Sequence, residues 1–250
     1  MATAEDCPSR AEEYSDPARV MTLPFLFPGE IPSERFKLEE DGTFSFYGRK
    51  IFRNVYEHVM AMDFRGNRLY HIHGTLGVGK SFLLAALACC LTRNGKAVLF
   101  LPDCRSMLRN PFRYIQKALC LTFVKSPGQL NLLQNCKSVD DLIEFCLPIT
   151  DRERLYVIID QLNALDPQEP HCDRNDDTKK TRLRNQLDLL SSEHLSITSS
   201  SGNYSHGLYD RLRNTGIQRL DIHTGLDQVR YSFYRPIHCS ISDSLHDRRR

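Results

Sequence analysis

Eight consecutive residues have the types and spacing to grip a polyphosphate. Gly74-Thr75-Leu76-Gly77-Val78-Gly79-Lys80-Ser81 matches GxxxxGK[ST], follows a short apolar run and opens a longer one of helix length. Glycines at 74, 77 and 79 let the backbone curl, so that successive amide N–H groups point inward at phosphate oxygens. The N-terminus of the following helix adds about half a positive charge. Lys80 is then positioned to reach the β and γ phosphates, and Ser81 to hold Mg2+ through its hydroxyl. The expected ligands are ATP and Mg2+. The competing reading is a glycine-rich turn with a chance lysine.

A phosphate loop needs an acid at the tip of another apolar strand to hold its metal. Leu155-Tyr156-Val157-Ile158-Ile159-Asp160 supplies one, so Asp160 is the candidate metal acid, the competing reading being a helix cap after a core strand. The eighty positions between Lys80 and Asp160 leave room for an intervening strand and two helices, as in the ATPase branch of such folds. Many ATPases of that branch carry a glutamate next to the acid to polarise the attacking water. Here the residue is Gln161, whose carboxamide cannot accept a proton but can orient water by hydrogen bonding, so slow hydrolysis is expected. Asp103, after Pro102 at the end of another strand, is the best alternative acid, or a plain turn residue; Asp166 is a weaker one.

The run Ser199-Ser200-Ser201-Gly202-Asn203-Tyr204 falls where sheets of this type bind ligands. Asn203 is either a sensor of the γ-phosphate or water, or part of a serine-rich turn. Arg105 and Arg109 read as a solvated helix face more readily than as phosphate contacts, and His71 and His73 as packing residues. No CxxC pair occurs and His171-Cys172 stands alone, so zinc is not expected.

The elements that must position these residues alternate between short apolar runs and amphipathic, helix-length segments, the pattern of a parallel sheet covered on both faces. Strands are predicted at 69–73, 97–101, 155–159, 195–198 and 218–222, and helices at 80–92, 112–123, 139–145 and 179–190. Asn94-Gly95 stops the first helix, and Ser138-x-x-Asp141 opens the third as a capping box. Before the core, Phe44, Phe46, Ile51, Val55 and Val59 mark a short strand and a helix. The fold class is therefore α/β: a P-loop NTPase three-layer sandwich with a mainly parallel five-stranded sheet. The division expected is a loose acidic tail over 1–22, an NTPase domain over 23–225 and a poorly ordered or truncated tail over 226–250. Residues 166–177 read as an exposed insertion.

Composition bounds the rest. The chain has 250 residues, 41% apolar and 26% charged, enough for one substantial core and too apolar for a disordered chain. Thirty-three basic against 31 acidic side chains give a net charge of +2, too even to argue for nucleic acid or a membrane surface. The longest apolar run, 82–91, is half the ~20 residues a bilayer helix needs. Nine cysteines, an odd number that includes the adjacent Cys89 and Cys90, point to reduced, mostly buried thiols and an intracellular compartment. No basic start or apolar leader segment is visible. No NKxD-like tetrapeptide favours guanine, and no carboxylate cluster or basic aromatic face suggests action on nucleic acid.

Three segments carry a more specific likeness. IHGTLGVGKSFLLAALAC, KAVLFLPDCRSMLRNPFRYIQKAL and YVIIDQLNALD resemble the nucleotide-binding region of Crinkler-type effectors and the related retrotransposon hot spot proteins, over about 44–222. The resemblance implies an ATPase module joined to an effector domain and acting inside a host cell, often in the nucleus. By the same likeness Gly74, Gly79, Lys80 and Ser81 take the loop roles, Asp160 the metal role, Gln161 the neighbouring polar role and Asn203 a sensing role. The chain departs from that pattern in having no LxLFLAK-like header and no lid or effector domain after the fifth strand. Expected partners are nucleotide and a second copy of the chain or a host protein. The alternative function is a truncated module that binds nucleotide without hydrolysing it.

Overall fold

The computed structural model describes residues 3–32, 34–63, 68–149, 154–166, 174–201 and 218–222. The chain begins with a short 3-10 turn (Ala4–Asp6) and helix α1 (Ala11–Ser15). Strands β1 (Val20–Pro24) and β2 (Thr43–Tyr47) then pair antiparallel as a two-stranded ribbon, followed by α2 (Ile51–Met60). The main sheet contains β3 (Leu69–Gly74), β4 (Val98–Leu101), β5 (Tyr156–Ile159), β6 (Leu195–Ser201) and β7 (Gln218–Ile222) in the spatial order β4-β5-β6-β3-β7. Every pairing in it is parallel. The intervening helices are α3 (Lys80–Arg93), α4 (Cys104–Met107), α5 (Pro111–Thr122), α6 (Pro127–Asn135), α7 (Val139–Cys146) and α8 (Arg174–Ser192).

They pack in two groups, α1 to α3 with the ribbon and α5 to α8, giving the three-layer α/β P-loop NTPase sandwich that the alternation predicts. β4 and β5 are buried at all four positions, which is why they read as unbroken apolar runs. Strand β6 runs three residues past its predicted end, because Ser199, Ser200 and Ser201 continue the ladder opposite Ile72, His73 and Gly74.

Local signals act as their chemistry requires. Asn94 caps α3 and Gly95 takes a left-handed φ of 73°, while Lys96 N–H closes back on the Leu91 carbonyl at 3.0 Å. The Ser138 hydroxyl accepts from Asp141 N–H at 3.1 Å, and the Asp141 carboxylate accepts from Ser138 N–H at 3.1 Å, a complete capping box. Leu183, Leu187 and Leu190 form the buried stripe of α8. Among the described residues no helix is long and apolar enough to cross a membrane.

The largest correction concerns residues 1–22. The expected loose tail is folded from residue 3 onward, because Tyr14 on α1 is fully buried and stacks on Phe52 with centroids 4.6 Å apart. Its hydroxyl donates to the Pro8 carbonyl at 2.9 Å. This unit covers the outer side of α3, whose residues 83–91 are all buried, with Cys89 Sγ against the Pro24 carbonyl. A helix apolar around its whole circumference must be covered on both sides. Of the exposed insertion expected over 166–177, the residues from Arg174 onward belong to α8 instead. Helix α6, unread in the sequence, starts with Pro127 in its first turn after Ser126. The expected tail over 226–250 lies outside the described residues.

Candidate functional site

The loop between β3 and α3 lies at the C-terminal edge of the sheet. Gly79 is the residue before the helix, and its φ of 82° is left-handed; an added Cβ would also meet Arg49 Nη1 at 2.8 Å. Gly77 shares the left-handed conformation, with φ 84°. Gly74 is required for a different reason: a Cβ there would stand 2.6 Å from the Ile222 carbonyl oxygen, so glycine lets β7 lie against the start of the loop. Leu76 is exposed at the tip, while Val78 turns inward. Arg49 pins the loop from outside. Its Nη1 donates to the Gly79 carbonyl at 3.2 Å, and its main-chain N–H donates to the Tyr14 carbonyl at 2.8 Å.

Lys80 is 8% exposed and its Nζ donates to the Gly74 and Thr75 carbonyls, each at 2.8 Å. The ammonium is thus held across the loop by main-chain oxygens. Burial lowers its pKa from the usual lysine value, and the nearby Asp160 charge opposes the shift. Ser81 follows in the first turn of α3, half-buried.

Asp160 directly follows β5 and is 2% exposed. One carboxylate oxygen, Oδ1, accepts from Gln161 N–H at 2.9 Å and from the Ser199 hydroxyl. The other, Oδ2, accepts from Arg35 Nη1 at 3.0 Å. Arg35 also pairs through Nη2 with Asp103 Oδ1 at 2.9 Å and donates from Nη1 to the Pro102 carbonyl at 3.2 Å. Gln161 takes a left-handed φ of 58°, alone among the described non-glycine residues, and leads into a 3-10 turn, Leu162–Leu165. Such a conformation disfavours side chains and is common where a residue is held for function.

Asp103 is a cap by its hydrogen bonds and a neighbour of Asp160 by its ion pair. It caps α4, accepting from Arg105 N–H at 3.0 Å and the Ser106 hydroxyl at 2.9 Å, and it also stands beside Asp160 through the shared arginine. The structure therefore gathers the loop from Gly74 to Ser81, Asp160, Gln161 and Asp103 at one edge. Strand β6 lies between β3 and β5. Asn203 lies outside the described residues.

Other candidates fall elsewhere. Arg105 and Arg109 form exposed ion pairs with Glu34 at 3.7 Å and Glu30 at 2.9 Å. Asp166 pairs with Arg184 at 3.6 Å. His71 is buried, with Nδ1 2.7 Å from Thr198 Oγ1 and Nε2 2.9 Å from Ser200 Oγ, and burial pushes its pKa down to about 3, so the ring is neutral. His73 Nδ1 lies 3.3 Å from the same Ser200 hydroxyl.

Two residues of the site, Arg35 and Arg49, were not singled out from the sequence. Ser199 was read only as the start of the polar run 199–204, and the structure places its hydroxyl on Asp160.

These residues suit a nucleotide with its metal. The loop is shaped by glycines that keep side chains out of it, and Ser81 and Asp160 offer hard oxygen donors of the kind Mg2+ prefers. Asp160 already accepts a cation, the Arg35 guanidinium.

No family model matches the chain, and no curated protein does. Among solved structures the chain is similar to PCH-2 of C. elegans, at 16% identity over 76% of this chain and 46% of that one, with a TM-score of 0.37. It is similar to DnaA from Aquifex aeolicus bound to AMPPCP, at 16% identity over 76% and 49%, with a TM-score of 0.39. It is also similar to a chain of the E. coli MS115-1 HORMA:CdnC:Trip13 complex, at 12% identity over 64% and 49%, with a TM-score of 0.38. The chain spans a little under half the length of each.

Proposed function

We propose that the protein binds ATP with Mg2+ at the β3–α3 loop and hydrolyses it slowly. The observation that carries this reading is the arrangement at one sheet edge: a glycine-shaped turn with Lys80 folded over it, and the buried acid Asp160 two strands away. Main-chain N–H groups of the loop would surround the phosphates, and Lys80 would exchange the Gly74 and Thr75 carbonyls for phosphate oxygens. Ser81 and Asp160 would hold Mg2+, which when bound neutralises charge on the β and γ phosphates.

The test is thermal unfolding with ATP and Mg2+ against AMP or ATP with chelator. ATP with Mg2+ at 100 times its dissociation constant should stabilise the fold by about 2.7 kcal/mol. AMP lacks the phosphates the loop would grip and should leave the melting temperature unmoved. An equal rise with AMP contradicts the assignment.

Hydrolysis turns on Gln161, held in a left-handed conformation directly after Asp160. Gln161→Glu should raise phosphate release several-fold over the parent if the carboxamide stands where a base is needed. A fall would mean that the amide itself orients the water.

A second reading, a module that binds without turnover, is favoured by the partners Asp160 already has: Gln161 N–H and Ser199 donate to one of its oxygens and Arg35 to the other. Multiple-turnover phosphate release no higher than that of Lys80→Ala would support it. The likeness of the three quoted segments to Crinkler-type effectors supports reading the nucleotide state as a control on self-assembly, on a host protein partner or on an attached activity within a host cell.

A further inference from the structure

We propose that Arg35 is an internal counter-cation for the metal acid Asp160 and its neighbour Asp103, so that a divalent ion reaches Asp160 only by displacing the guanidinium. The inference rests on the reading of Asp160 as the metal acid.

Its first support is the geometry of the pair. Asp160 and Asp103 follow the ends of adjacent strands, their side chains are 3% and 8% exposed, and one arginine bridges them at 3.0 and 2.9 Å. Two carboxylates in so little solvent repel unless a cation stands between them. A planar guanidinium can satisfy both at once, as an ammonium cannot. The second support is which oxygen it takes. Oδ1 of Asp160 is engaged by Gln161 N–H and Ser199, so Oδ2 is the oxygen facing a cation, and Arg35 covers it.

The third support is how Arg35 is carried. It lies between β1 and β2, on a segment fixed at both ends by aromatic contacts. Phe27 packs on Tyr114 with centroids 4.4 Å apart, and Phe36 on Phe82 at 4.7 Å. Between those anchors lie the exposed pairs Glu30–Arg109 and Glu34–Arg105, a kind that contributes little. The turn that carries Arg35 is held, its N–H and that of Phe36 donating to the Pro32 carbonyl at 2.9 and 3.0 Å, so the guanidinium would withdraw by rotation of its own partly exposed side chain and not by unfolding its segment. Phe82 lies on α3, one residue after Ser81, so this segment and the first turn of the loop helix share a contact.

The experiment titrates Mn2+ alone by electron paramagnetic resonance against the parent, Arg35→Ala, Arg35→Gln and Arg35→Lys. Mn2+ without nucleotide reads the acid pair directly, whatever the loop binds. Arg35→Ala and Arg35→Gln should bind Mn2+ at least about tenfold more tightly than the parent, with Arg35→Lys between. Unchanged or weaker Mn2+ binding in both overturns the proposal and makes Arg35 a structural tie. If loss of the arginine unfolds the chain, Asp103→Asn is compared with Arg35→Gln/Asp103→Asn, where one acid remains and the same ordering is required. The thermal shift with ATP and Mg2+, measured alongside, reports separately on the loop. Its absence in the parent would defeat the nucleotide reading while leaving the Mn2+ comparison decisive for the counter-cation.

Discussion

Lys80→Ala should abolish most of the stabilisation that ATP with Mg2+ confers. At a ligand concentration that gives the parent about 2.7 kcal/mol, a hundredfold weaker affinity leaves about 0.4 kcal/mol. For a chain of this size that is a melting-temperature rise of about 5–10 °C in the parent against about 1 °C in the variant. The reason is specific to this loop. Lys80 is the cation bonded to both the Gly74 and Thr75 carbonyls, and nothing else named at the loop brings a charge inside it. Lys80→Met keeps the aliphatic stem and should behave like Lys80→Ala, which separates loss of charge from loss of packing. A parent-like rise in either variant would remove the loop from the binding site.

Tyr14→Ala should lower the stability of the whole chain by about 3 kcal/mol or more, the cost of emptying a fully enclosed aromatic site. The melting temperature should fall by about 10 °C, in one cooperative transition. Tyr14→Phe removes only the hydroxyl bond to the Pro8 carbonyl and should cost about 1 kcal/mol. A Tyr14→Ala variant melting within about 2 °C of the parent would return residues 3–15 to the status of an appendage.

The contrast between these two residues explains what could be read from the sequence. Lys80 announces itself, because the chemistry of the loop is local: eight neighbouring residues, one turn, one helix start. The strands announce themselves for a similar reason, since β4 and β5 are buried at every position and therefore apolar without interruption. Asp160 and Gln161 follow from such a strand. Tyr14 carries no local pattern; its partner Phe52 is 38 positions away and only the fold brings them together. A clue was present in α3, whose apolar run from 83 to 91 leaves no polar side to face water and so demands an outer cover.

Arg35 was illegible for the same reason as Tyr14. An arginine in a loop between prolines and glutamates looks like solvated surface, and its pairing with Asp103 and Asp160 depends on strands 68 and 125 positions further along. Arg105 and Arg109 read correctly as an exposed face, but their partners, Glu34 and Glu30, belong to that same loop.

Arg49 grips the chain at two places through different parts of itself: its backbone hangs from the carbonyl of Tyr14, and its guanidinium holds the carbonyl of Gly79. The amino-terminal helix and the β3–α3 turn are therefore joined through a single residue, two hydrogen bonds apart.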